Sequence, residues 1–63
     1  DKAMASLITL SESPHPQVRT DAAHYLGLVD SPVAKARLEE LLHDEDTEVR
    51  EVAAESLAPP DSL

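Results

Sequence analysis

Three histidines, His15, His24 and His43, are the side chains expected to titrate near neutrality, and imidazole is also a common metal ligand. None has a second histidine four residues on, and the chain contains no cysteine to complete a ligand set. A metal site would need all three to converge from different elements, so they read as exposed turn and surface residues. The acidic run is the denser candidate. Asp44, Asp46, Glu48 and Glu55 occupy positions 1, 3, 5 and 12 of a calcium-loop count. Position 6 is then Val49, where such a loop needs glycine for its sharp turn, and the helical apolar spacing Val49, Val52, Ala53, Leu57 runs through the would-be loop. A helix with an acidic cap accounts for the same residues better.

Other chemistry lacks its parts. No serine sits in a nucleophile elbow, the single glycine cannot build a phosphate-cradling loop, and the carboxylate pairs fall on exposed helix faces rather than in an apolar pocket that would raise a pKa. A non-enzyme without metal or cofactor is expected. The formal charge of −8, from 13 acids and five bases, repels phosphate backbones and argues against nucleic-acid binding. No apolar run approaches the roughly 20 residues of a membrane span, and no basic n-region opens the chain. A soluble, cytoplasmic protein is expected. The start at Asp1-Lys2-Ala3 suggests a processed chain or a piece of a longer one.

The elements that must position these groups are helices. Ala, Leu, Val and Glu dominate, and Tyr25 is the only aromatic residue. Helix 1 is predicted from Lys2 to about Glu12, with Ala3, Met4, Leu7, Ile8 and Leu10 as its apolar stripe. Pro14 and Pro16 stop it, and Pro16 suits the first turn of helix 2. That helix runs to about Val29 with Val18, Ala22, Tyr25, Leu26 and Val29 on one face. Gly27, late in it, predicts close packing or an early end. Ser31-Pro32 starts helix 3, which continues to about His43 with Ala34, Leu38, Leu41 and Leu42 inward and Lys35, Arg37, Glu39 and Glu40 outward. Asp46 is the predicted N-cap of helix 4, Thr47 to Leu57, before Pro59-Pro60 and a frayed tail over 59–63.

The sequence repeats at 31 residues. Val18-Arg19 returns as Val49-Arg50, Ala22-Ala23 as Ala53-Ala54 and Leu26 as Leu57, so 5 of the 13 positions from Pro16 to Leu28 are identical to their counterparts. Ala3, Ala5, Leu7 and Leu10 likewise match Ala34, Ala36, Leu38 and Leu41. Each repeat is a helix–turn–helix pair that cannot hide both apolar faces alone, so two pairs stack around one core. With neither disulfide nor metal to staple it, helix packing must hold this short chain together. The predicted core is Leu7, Leu10, Val18, Ala22, Leu26, Leu38, Leu41, Val49, Ala53 and Leu57.

The run from Leu41 to Leu57, with its order Leu-Leu-x-Asp-x-Asp-x-x-Val-Arg-x-x-Ala-Ala-x-x-Leu, and its partner from Pro16 to Gly27 resemble HEAT repeats, closest to the short type first described in phycobilisome lyases. The resemblance implies an all-α fold: two HEAT-like helix-turn-helix repeats, about 1–30 and 31–58, stacked as a four-helix α-α superhelix (solenoid) fragment. It also implies an inter-repeat ladder of arginine and turn aspartate, carried onto Arg19, Asp44 and Arg50. Ser13 stands where Asp44 stands in the second repeat, which leaves Arg19 to Asp44 as the expected contact.

The same resemblance implies a protein–protein interaction module, a scaffold or adaptor, or a fragment of a longer solenoid; an accessory role in a lyase is the enzyme-class alternative. At 100° per residue, Gln17, Thr20 and His24 point directly away from the core on helix 2, and Glu48, Glu51 and Glu55 do so on helix 4. The resemblance places second helices on the concave face, so these six would form two neighbouring columns, facing either solvent or a protein with a basic surface. Met4 and Ile8 stand where helix 3 carries Lys35 and Glu39; they either tuck into a wider core or meet a partner, and self-association stays open through them.

Overall fold

The computed structural model describes residues 2–29 and 31–58; the tail over 59–63, expected to be frayed, lies outside them. Four helices follow one another: α1 (Lys2–Leu10), α2 (Pro16–Leu28), α3 (Pro32–Leu41) and α4 (Thr47–Leu57). The starts follow the predicted chemistry. Pro16 and Pro32 each occupy the first turn of a helix, where their missing N–H costs nothing. The Ser31 hydroxyl accepts from Val33 N–H at 3.2 Å, and the Asp46 carboxylate accepts from Val49 N–H at 3.1 Å. α2 has no side-chain cap of its own; Ser13 Oγ accepts from His15 N–H instead.

α1 and α3 end two residues before their predicted limits, and they end alike. After Leu10, the N–H groups of Glu12 and Ser13 donate three residues back, to Thr9 and Leu10; after Leu41, those of His43 and Asp44 do the same to Glu40 and Leu41. The last carbonyls of each first helix are thus satisfied by a tighter turn.

α2 packs against each of the other three helices, whereas α1 and α4 do not meet. The smallest dimension, 15 Å between extreme Cα positions, is close to one helix–helix spacing of about 8–10 Å plus the roughly 4.6 Å width of a Cα cylinder, as two layers require. Ala23, Leu26, Ala34, Leu38, Leu41, Val49 and Ala53 form the buried cluster, with Met4, Leu7, Ile8, Leu42, Val52 and Leu57 half-buried against it. Met4 and Ile8 therefore contribute to the core, the first of their two expected roles.

The exceptions to the predicted core follow from stacking. α2 and α4 run side by side in the same direction: Arg19, near the start of α2, reaches the turn before α4, and Gly27, near its end, touches Ser56 near the end of α4. The side of α2 that meets α4 carries the row Thr20, Ala23 and Gly27; the opposite side carries Asp21 and Tyr25. Leu10 is 47% exposed although its counterpart Leu41 is 2% exposed, because the second repeat lies against the first and no described element precedes the first. Tyr25, at 57%, and Val29 also face outward rather than inward for that reason. Conversely Ala23, absent from the predicted core, is fully buried under α4.

Candidate interaction surface

Three of the chain's five bases are bent into its turns. Arg19 donates from Nε and Nη2 to the two carboxylate oxygens of Asp44, at 2.9 and 3.0 Å, and from Nη1 to the Ser13 carbonyl at 2.8 Å. Arg50 makes the equivalent Nη1 bond, to the Asp44 carbonyl at 2.6 Å, and donates to Thr47 Oγ1 at 3.1 Å. Arg37 donates from Nε to Ser11 Oγ at 2.8 Å, from Nη2 to the Ser11 carbonyl at 2.9 Å and from Nη1 to Glu40 at 3.0 Å.

The Arg19–Asp44 pair shifts the titration of both its members. Burial by itself would raise the Asp44 carboxyl, but the Arg19 hydrogen bond, the Asp46 N–H and the nearby guanidinium charges outweigh it and hold it below the usual carboxylate value. The hydrogen bond to Asp44 is the main cause that raises Arg19 in turn, against the opposing effect of burial. Arg37 was expected to face water. It instead clasps Ser11, whose side chain is fully buried and itself donates to the Ile8 carbonyl at 2.6 Å. The repeat could not reveal this contact, because the counterparts of Ser11 and Arg37 are Leu42 and Ser6.

The acids of α4 keep no such company. Glu48, Glu51 and Glu55 are exposed, and among the described residues none has a cation within ion-pair distance. On α2, Gln17 and His24 are also exposed, and the His24 ring lies edge-on to Tyr25 with centroids 6.2 Å apart. Thr20 corrects the expectation: it is 9% exposed, and its hydroxyl has no hydrogen-bond partner. Counting 100° per residue located the direction away from the core but not the neighbouring second helix, which covers the Thr20 row. Two columns thus become one acidic column on α4, with Gln17 and His24 beside it. His15 and His43 are exposed in turns, and no group of three His, Asp or Glu among the described residues could hold a metal ion. Asp44 and Asp46, counted above as calcium-loop positions, are engaged by Arg19 and as the cap of α4.

Between the C-terminal halves of α2 and α4 lies a groove of about 370 Å³. Gly27, Val52 and Ser56 line it together with His24, Leu28 and Glu55.

Paired helices, a 31-residue period and arginines turned back into the inter-helix turns describe a repeat protein, and a family model of HEAT repeats matches residues 1–58. The chain belongs to the HEAT repeat family. No curated protein and no solved structure matches it. HEAT repeats generally serve as scaffolds for protein contacts, and the family is typically non-enzymatic. In this HEAT pair no helix among the described residues is long and apolar enough to cross a membrane.

Proposed function

We propose that the chain is a non-catalytic interaction module, a scaffold or adaptor, that meets a protein partner with a basic surface through the exposed face of α4 and the adjoining part of α2. Glu48, Glu51 and Glu55 supply the charge, and Gln17 and His24 border it. One observation carries the reading. Arg19, Arg37 and Arg50 are committed to turns, so the glutamates on the exposed side of α4 are left without cations. Opposite charge on a partner would steer the encounter and fix its orientation.

The test is affinity capture with the wild-type chain and with Glu48→Gln/Glu51→Gln/Glu55→Gln, each at low and at raised salt. A partner captured by the wild type should be lost by the variant and weakened by salt. Capture that is indifferent to both changes places the contact elsewhere.

A further inference from the structure

The groove between α2 and α4 offers more than charge. Gly27 and Ser56 bring the two helices so close that a Cβ at Gly27 would stand 2.6 Å from Ser56 Cβ, which leaves a shallow trough floored by small residues and Val52. His24 and Leu28 border it from α2; Glu55 borders it from α4 and is the acid among the lining residues.

A second feature of the same place is independent of that glutamate. α2 ends at Leu28 and α4 at Leu57, both beside the groove, and neither helix has a basic residue in its last turn. The partial negative ends of two parallel helices therefore open beside one another; Lys35 of α3 lines the neighbouring cavity with Leu28, Leu57 and Ala58 but does not line this groove. Three sources of negative potential, two helix ends and a carboxylate, surround a pocket with an apolar floor.

From this geometry we infer that the groove is a subsite for an arginine side chain of the partner, with the stem over Val52 and Gly27 and the guanidinium between Glu55 and the helix ends. Guanidinium fits better than ammonium. Its planar fork can address a carboxylate and backbone carbonyls together, it is weakly hydrated, and it lies flat on a small-residue floor, whereas a lysine ammonium keeps its water and makes point contacts. The inference rests on the reading of the α4 face as the partner face and makes that reading specific at one position.

The experiment is amide chemical-shift mapping on the isotope-labelled full chain, titrated with N-acetylarginine methylamide and with its uncharged isostere, N-acetylcitrulline methylamide. The arginine compound should shift Gly27, Val52, Glu55 and Ser56 saturably, the citrulline compound should bind at least about tenfold more weakly, and Glu55→Gln should weaken the arginine compound by a similar factor, as loss of one charge-assisted hydrogen bond requires. Absence of a saturable response up to the solubility of the probe, shifts spread evenly over Asp21, Glu39 and Glu45, or equal binding of both compounds would overturn the subsite.

A parallel titration with acetylated hexalysine separates the two readings. Binding that falls with Glu48→Gln and Glu51→Gln but not with Glu55→Gln leaves the acidic face standing and removes the groove. Binding that ignores all three glutamates removes both.

Discussion

Gly27 of α2 and Ser56 of α4 touch so closely that the smallest side chain added at Gly27 would stand 2.6 Å from Ser56 Cβ, 2.8 Å from its Oγ and 3.3 Å from its Cα. The Ser56 hydroxyl also donates to the Ala23 carbonyl at 3.3 Å. The obstacle is thus the root of a side chain, which cannot swing away. Gly27→Ala should destabilise the chain, because overpacking of about 1–3 kcal/mol outweighs the roughly 1 kcal/mol gained in helix propensity. In a Ser56→Gly background the obstacle is gone, and the same substitution should stabilise. Thermal melts of the four variants check this; an equal effect in both backgrounds would show that the helices are not in contact there.

Much of this arrangement was legible in the sequence, and what was not has one physical cause. Periodicity, proline positions and caps depend on a residue and its near neighbours, so the four helices and their starts could be read directly. Which side of a helix is covered depends on the helix next to it. Leu10 and Leu41 are equivalent in sequence yet differ in burial, and so are Thr20 and Glu51, because one member of each pair lies between the repeats and the other at an outer edge. The Arg37–Ser11 clasp was illegible for a related reason: it joins two repeats through residues that the repeat does not preserve.

That difference predicts unequal costs for identical substitutions. Leu38→Ala, at a side chain 2% exposed, should cost about 2–5 kcal/mol, a large part of the stability of so small a domain. Leu10→Ala, half in water already, should cost under about 1 kcal/mol. Urea unfolding of both variants decides the matter, and comparable losses would mean that Leu10 is covered in solution.

Ser11→Ala tests the clasp. The hydroxyl serves two partners in a fully buried position, donating to Ile8 and accepting from Arg37, so its loss leaves an unpaired guanidinium N–H and an unpaired carbonyl. A cost of about 1–3 kcal/mol is expected. Because Arg37 also binds the Ser11 carbonyl and Glu40, the helical circular-dichroism signal should persist while the melting temperature falls.

Asp44 sets a pH dependence with a definite sign. Its carboxyl is held below its usual value in the folded chain, so its contribution is fully present above the unfolded value of about 3.9 and is lost as pH falls through the lower folded value. The stability difference between wild type and Asp44→Asn should therefore be constant near neutrality and shrink below about pH 4. A gap that persists at the lowest pH would mean that the loss comes from the shape of the turn rather than from the charge bound by Arg19.

Glu48, Glu51 and Glu55 stand three and four residues apart on α4, all exposed and all without a cation among the described residues. Neighbouring like charges at these spacings cost a few tenths of a kcal/mol per pair. Asp44 and Asp46 are accounted for by the Arg19 pair and the cap, and Glu48 stands in the first turn of α4, where the helix dipole favours it; Glu51 and Glu55 contribute nothing visible to the fold. Replacing Glu51 and Glu55 by glutamine, which removes both like-charge pairs and leaves Glu48 in the first turn, should raise the stability of the free chain by roughly 0.5 kcal/mol at low salt, and the gain should fade as ionic strength rises and the Debye length shortens from about 10 Å at 0.1 M to 3 Å at 1 M. Melts of the variant and the wild type across a salt series measure this directly. If the variant is less stable at low salt, the glutamates support the helix itself, and their exposure no longer argues for a surface kept acidic to meet a partner.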